Sequence, residues 1–184
     1  HTGSDDIYET GSHNTVPCSN LPGCSDGMYI QSSHIHIYRA PVASNNGAGI
    51  NVVTGNDNTI YYSNITGYRD GVAITGSNNT IYDSNVASEG YDGNGVNIVG
   101  SYNLIYDSDI VGYYGANIAG YYNLIYYSNV PGWGGYGVHV SGSYTTKYGS
   151  HINGHGKRAS TTRPYTLHNH SKVHACATPG CASY

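Results

Sequence analysis

The sequence predicts an all-β fold, a single-stranded right-handed parallel β-helix of about six coils of roughly 22 residues, with an irregular disulfide-bearing cap at each end. Three observations carry that expectation. A short apolar strand recurs at a nearly constant period. A second strand follows each copy at a nearly constant distance. Within both, aliphatic and polar side chains alternate with the period of two that places successive residues on opposite faces of a strand.

The first strand reads Gly27-Met-Tyr-Ile, Gly49-Ile-Asn-Val, Gly71-Val-Ala-Ile, Gly95-Val-Asn-Ile, Gly115-Ala-Asn-Ile and Gly137-Val-His-Val. The steps between its glycines are 22, 22, 24, 20 and 22 residues. The second begins at His36 (HIYRAPV), Thr59 (TIYYSNI), Thr80 (TIYDSNV), Leu104 (LIYDSDI), Leu124 (LIYYSNV) and Thr146 (TKYGSHI). From each glycine to the second residue of this strand is 10 or 11 residues, whereas the return to the next glycine runs 12, 11, 14, 10 and 12. One side of the coil is therefore fixed and the other varies. Alternation turns Ile50, Val52, Val72, Ile74, Val96, Ile98, Val138 and Val140 inward from the first strand, and Ile60, Ile81, Ile105 and Ile125 inward from the second. Gly and Asn recur too often for a helix, and no segment keeps a 3.6-residue period.

Stacking coils about 4.8 Å apart aligns Asn58, Asn79, Asn103 and Asn123 in a column at a turn, where amides can hydrogen-bond along the axis. Gly55, Gly76, Gly100, Gly120 and Gly142 form a second column, expected where the backbone leaves no room for a Cβ. Right-handed coiling follows from the strong bias of parallel crossovers.

Domain organisation follows the repeat: a β-helix over residues 27–153, an N-terminal cap or connector over 1–26 and a C-terminal one over 154–184. Lys147 stands where earlier coils place an inward Ile, which suggests that the core closes there. Cys18 and Cys24 bracket one Pro-Gly, and Cys176 and Cys181 another. Four cysteines allow three pairings, of which the two local loops are preferred, and oxidised pairs imply an extracellular setting. The chain begins at His1 without a signal peptide, as a processed form, a fragment or the ordered part of a longer protein would.

Composition narrows the function classes. Charged residues are 10% of the chain, against a usual ~25%, so solubility rests on Asn, Ser, Thr, Gly and Tyr. A net charge of −4 argues against a nucleic-acid surface. No apolar run approaches a membrane span. The 21 Tyr and absent Phe place most aromatics outside, where a hydroxyl meets water.

Stretches such as GVAITGSNNTIYDSNV and GVNIVGSYNLIYDSDI resemble the right-handed parallel β-helix repeat of pectate-lyase-like and NosD-like proteins over roughly residues 27–153. The resemblance implies the fold; the superfamily it points to spans lyases, hydrolases, epimerases, adhesins and phage spikes. GNDNTI and GSNNTI also resemble grass ice-binding repeats, which use shorter coils and a flat Thr/Ser/Val face. The segment Gly154 to Arg158 (GHGKR) resembles the His-Gly pair of polygalacturonases, whose accompanying Asp motifs are missing here.

Several residues are candidates for chemistry or contact. Tyr38, Tyr61, Tyr82, Tyr106, Tyr126 and Tyr148 make a six-deep outward column, and the return leg adds Tyr68, Tyr91, Tyr113, Tyr114, Trp133 and Tyr136. Such columns bind sugar rings, pack against another subunit or simply stabilise a β surface. Sequons at Asn64, Asn78 and Asn169 are candidate glycan sites, Asn78 foremost because it lies at a turn. Asp83 and Asp107 occupy equivalent positions on adjacent coils with Asp109 nearby, an arrangement whose repulsion Ca²⁺ could relieve. His34 and His36 alternate, as metal-binding HxH pairs do. No acid–base constellation stands out. The leading expectation is an extracellular structural or surface module that self-associates head to tail into filaments and carries glycans, needing no cofactor. A polysaccharide-binding, lyase or hydrolase β-helix protein is the alternative, which a carboxylate cluster in a cleft beside the variable leg would favour. An adhesin or phage-type module, usually trimeric, is a third.

Overall fold

The computed structural model describes residues 26–155 throughout and, beyond them, the backbone strands Tyr8–Glu9, Thr15–Val16, Leu21–Gly23, Lys157–Thr161, Leu167–Asn169 and Lys172–Ala175. The described chain is all-β. It winds as a parallel solenoid with three sheets of eight strands each, in which every strand pairs with its counterpart one coil away. About six coils are described in full, and each sheet gains one strand at either end from the segments expected to act as caps. The four cysteines lie outside the described residues, as do the Lys157 and Arg158 side chains of the GHGKR segment.

The first sheet stacks Met28–Ile30, Ile50–Val52, Asp70–Thr75, Asn94–Val99, Tyr114–Ala119 and Tyr136–Val140. The second stacks His36–Tyr38, Thr59–Tyr61, Thr80–Tyr82, Leu104–Tyr106, Leu124–Tyr126 and Thr146–Tyr148. The repeat sequence suggested one strand where the structure has two. Each second strand breaks at a corner, and Pro41–Ser44, Asn64–Gly67, Asn85–Ser88, Asp109–Val111, Asn129–Gly132 and His151–Gly154 form the third sheet. The break is a single left-handed residue per coil: Arg39, Tyr62, Asp83, Asp107, Tyr127 and Gly149, with φ between 46° and 61°. A second column of left-handed residues, His34, Asp57, Asn78, Tyr102, Tyr122 and Tyr144, turns the chain from the first sheet into the second.

Both corners use the same device. In most coils the residue after the left-handed position is an inward Asn or Ser whose side chain caps the coil before it. At the first corner Asn79 Oδ1 accepts the Asn58 N–H at 2.9 Å, Asn103 Oδ1 that of Asn79 at 2.9 Å, and Asn123 Oδ1 that of Asn103 at 2.9 Å. Each amide also donates backward, as from Asn103 Nδ2 to the Gly76 carbonyl at 3.0 Å. At the second corner Ser63, Ser84, Ser108, Ser128 and Ser150 each accept the N–H of the equivalent residue one coil earlier, at 3.1–3.2 Å. These buried polar columns satisfy the backbone groups that a corner removes from the sheet ladders.

The glycine column closes against the same corner. A Cβ on Gly100 would lie 1.9 Å from the Gly76 carbonyl oxygen, so only glycine permits the coils to approach there. The core is a thin aliphatic prism. Its sides are Val72 and Ile74 and their stacked equivalents, the Ile37–Ile60–Ile81–Ile105–Ile125 column, and Val42, Ile65, Val86, Ile110, Val130 and Ile152, all 2% exposed or less. Every inward residue expected from the alternation is buried. Lys147 continues the isoleucine column, in register with Ile125, and is fully buried.

Candidate functional site

Outward side chains on this scaffold are stacked at the coil spacing, so any residue type repeated at one position becomes a surface. The Tyr column of the second sheet does so: Tyr38 and Tyr61 stack at 4.8 Å, Tyr82 and Tyr106 lie 5.6 Å apart, and Tyr126 and Tyr148 5.8 Å. The corner residues Tyr62 and Tyr127 interleave with it, Tyr62 edge-on to Tyr82 at 5.5 Å and Tyr127 edge-on to Tyr148 at 5.5 Å. The Tyr62 and Tyr82 hydroxyls are 3.2 Å apart. That hydrogen bond, with one to the Asp83 carboxylate, holds the Tyr82 phenol well above its usual pKa.

The other aromatic surface lies along the variable return leg. Here the longest return, between Ile81 and Gly95, throws out the loop Gly90–Gly93 ahead of the strand Asn94–Val99, pinned by Glu89 N–H donating to the Gly67 carbonyl and Ser88 Oγ donating to the Arg69 carbonyl at 3.0 Å. A cavity of about 470 Å³ opens beside it, lined by Tyr68, Arg69, Asp70, Tyr91, Asp92 and Asn94. A second, of about 220 Å³, shares Asp92 and Asn94 and runs on to Tyr114, Asn117, Tyr136 and His139.

Polar groups along this track are held in a chain. Asp70 accepts from the Asn94 backbone N–H at 3.0 Å and its Nδ2 at 2.8 Å, and from Asn97 Nδ2 at 3.4 Å. Asn117 Nδ2 donates to Asn97 Oδ1 at 3.0 Å. Tyr114 and Tyr136 stack at 5.9 Å, and the His139 ring lies 5.5 Å beyond Tyr136. His139 Nδ1 is buried without a hydrogen-bond partner. Burial, then Tyr113, then the Asp92 carboxylate raise the Tyr114 pKa. Trp133 packs edge-on to Tyr113 at 5.1 Å and to Tyr91 at 5.7 Å, walling the side of the track. Flat rings beside fixed amides and carboxylates are the chemistry that grips polyhydroxy rings.

The remaining candidates are dispersed. Asp83 and Asp107 occupy successive positions of the second corner, with φ of 46° and 51°. Asp109 lies on the third sheet's outer face, in register with Asn85 and Asn129. Among the described residues no three His, Cys, Asp or Glu side chains gather as a metal ion requires. Asn64 is exposed at the start of a third-sheet strand and Asn78 is exposed at the first corner with φ 57°. Asn169 belongs to the strand Leu167–Asn169, in register with Tyr148. His34 and His36 do not share a face: His34 sits at a corner, its Nε2 3.8 Å from Asp57 Oδ2, and buried Ile35 separates it from the strand that His36 begins. Sequence reasoning missed the second groove member Asn94, the Ser column and His139 as an orphaned group.

No protein-family model, curated protein or solved structure matches the chain. No helix among the described residues is long and apolar enough to cross a membrane.

Proposed function

We propose that the chain is an extracellular structural or surface module whose coils and tyrosine faces join it to further copies of itself, with glycans on the outer surface. The observation that carries this reading is the use of Tyr at corner positions. Tyr62, Tyr102, Tyr122, Tyr127 and Tyr144 hold a left-handed backbone, which costs about 1–3 kcal/mol for a non-glycine residue. Other coils fill the same positions with Asp57, Asn78, Asp83 and Asp107, which adopt that conformation more readily. The rings so placed are 44–59% exposed. Rigid exposed aromatics are what contact surfaces are made of, and the axial ladders offer a geometry that a neighbouring copy could continue. A heterologous contact of that kind propagates into a filament unless its rotation closes a ring.

Electron microscopy of the intact protein in non-reducing buffer tests this. Filaments with an axial repeat of about 30–45 Å, six coils at the strand spacing plus their ends, are the expected result. Discrete monomers at every concentration refute it, and a closed trimer moves the reading to an adhesin-like module. A second reading, a carbohydrate-binding or carbohydrate-active protein, is favoured by the adjoining cavities, because Arg69, Asp70 and Asp92 line a cleft beside the variable leg. Calorimetric titration with soluble oligosaccharides, with and without Ca²⁺, separates the two. Binding that Tyr136→Ala and Asp92→Asn abolish supports this second reading.

A further inference from the structure

At the first corner three coils in succession place tyrosine at the left-handed position. Tyr102 and Tyr122 stack at 5.2 Å with 9° between their planes, and Tyr122 and Tyr144 at 4.8 Å with 7°. The stacked pairs Tyr38–Tyr61 and Tyr114–Tyr136 are less parallel, at 28° and 24°. The three rings are 59%, 45% and 44% exposed. Their backbones are fixed one coil apart, Tyr102 N–H donating to the Tyr121 carbonyl at 3.0 Å and Tyr122 N–H to the Ser143 carbonyl at 3.1 Å. Neighbouring phenols are thus both open to solvent and held at contact distance, where a reaction between them is effectively unimolecular.

We propose that this stack is a site of oxidative modification, at which peroxide and a haem peroxidase couple adjacent rings into dityrosine within a single chain. Each of two phenols loses one electron and one proton. The resulting phenoxyl radicals form a carbon–carbon bond between positions ortho to their oxygens, and the ring hydrogens at those carbons shift to the oxygens to restore two phenols. The two electrons and two protons reduce one peroxide to two waters. The product ties consecutive coils together at a corner. The inference goes beyond the assembly reading and does not depend on it, since the bond forms inside one chain.

The test treats the dilute intact protein with a haem peroxidase and hydrogen peroxide, then reads dityrosine fluorescence, electrophoretic mass and cross-linked peptides after chymotryptic digestion. Cross-links Tyr102–Tyr122 or Tyr122–Tyr144 in protein that still migrates as a monomer are expected. Tyr122→Phe, which keeps a ring but has no phenolic proton, should lose both. Tyr144→Phe should retain Tyr102–Tyr122 alone, and Tyr61→Phe should leave both unchanged. Circular dichroism confirms that each variant is folded. Absence of dityrosine, cross-links only between chains, cross-links mapped elsewhere, or an undiminished yield in Tyr122→Phe overturns the proposal. Purely interchain products would do so while leaving self-association supported.

Discussion

Replacing Asn103 with Ala removes a middle rung of the buried amide column, and its cost can be worked from the bonds lost. Asn103 is 1% exposed. Its Oδ1 accepts the Asn79 N–H at 2.9 Å and the Asn79 Nδ2 at 3.2 Å, and its Nδ2 donates to the Gly76 carbonyl at 3.0 Å and to Asn123 Oδ1 at 3.2 Å. Asn79 Nδ2 keeps its bond to the Gly55 carbonyl at 3.0 Å, so the main damage falls on the Asn79 N–H and the Gly76 carbonyl. Each such buried group left without its partner costs about 1–3 kcal/mol, so with two of them the variant should lose about 2–6 kcal/mol. For a chain of this length that lowers Tm by roughly 4–24 °C. Urea unfolding followed by circular dichroism measures it, with the dependence on denaturant unchanged if only the folded state is altered. Asn85→Ala, at an exposed position of the third sheet's outer face, is the matched control and should fall within about 0.5 kcal/mol of wild type. If Asn103→Ala is no less stable than Asn85→Ala, the amide column is not what holds that corner, and the reasoning fails.

Three further outcomes follow from the same geometry. Gly100→Ala drives a Cβ to 1.9 Å from the Gly76 carbonyl oxygen, and thermal unfolding should show a loss above about 3 kcal/mol, beyond the usual range for a point change. Burial pushes the Lys147 pKa down from 10.5 to about 8. Below about 8 both folded and unfolded chains carry the charge, and its burial costs the fold about 3 kcal/mol; between about 8 and 10.5 only the unfolded chain stays protonated, so stability rises with pH across that window. Lys147→Met should be about 2–3 kcal/mol more stable at neutral pH and should lose that rise, read as the difference between the two proteins in chemical denaturation at stepped pH. Tyr62→Phe removes the leading cause of the raised Tyr82 pKa, so ultraviolet titration should show a phenol ionising nearer its ordinary range, and an unchanged titration curve would contradict the hydroxyl contact.

The repeat made much of the fold legible. Isoleucine and valine spacing located the first two sheets and their inward faces, and the Asn and Gly columns were visible as residues recurring one coil apart. The third sheet was hidden because its corner residues carry no common signal: Arg39, Tyr62, Asp83, Asp107, Tyr127 and Gly149 are of four kinds, and only the two Asp and the Gly are residues usually associated with such a turn. The clue was a slip in phase. Ile60 and Ser63 both point inward, three residues apart where a continuous strand allows two or four. The cavities were legible only as the unusually long return before Gly95, since which loops project, and which rings they bring together, depends on neighbouring coils rather than on local sequence. The Tyr column was read directly, but not its interleaving with corner rings that the hidden turn supplies.

The two corner ladders share a direction. The inward Asn and Ser side chains of both corners reach back to the coil before them and cap its buried N–H groups. On the outer side of the first corner, by contrast, Ser33, Asn56, Ser77 and Ser101 reach forward and accept the N–H groups of Asn56, Ser77, Ser101 and Tyr121. At the last described rung the Asn is replaced by Thr145, whose hydroxyl is buried without a partner. The molecule therefore has a mechanical polarity. Peeling coils from the C-terminal side strips caps from buried N–H groups left behind, whereas peeling from the N-terminal side strips caps from exposed or part-buried N–H groups that water can reach. Pulled from its two ends in turn, such a rod should resist unequally.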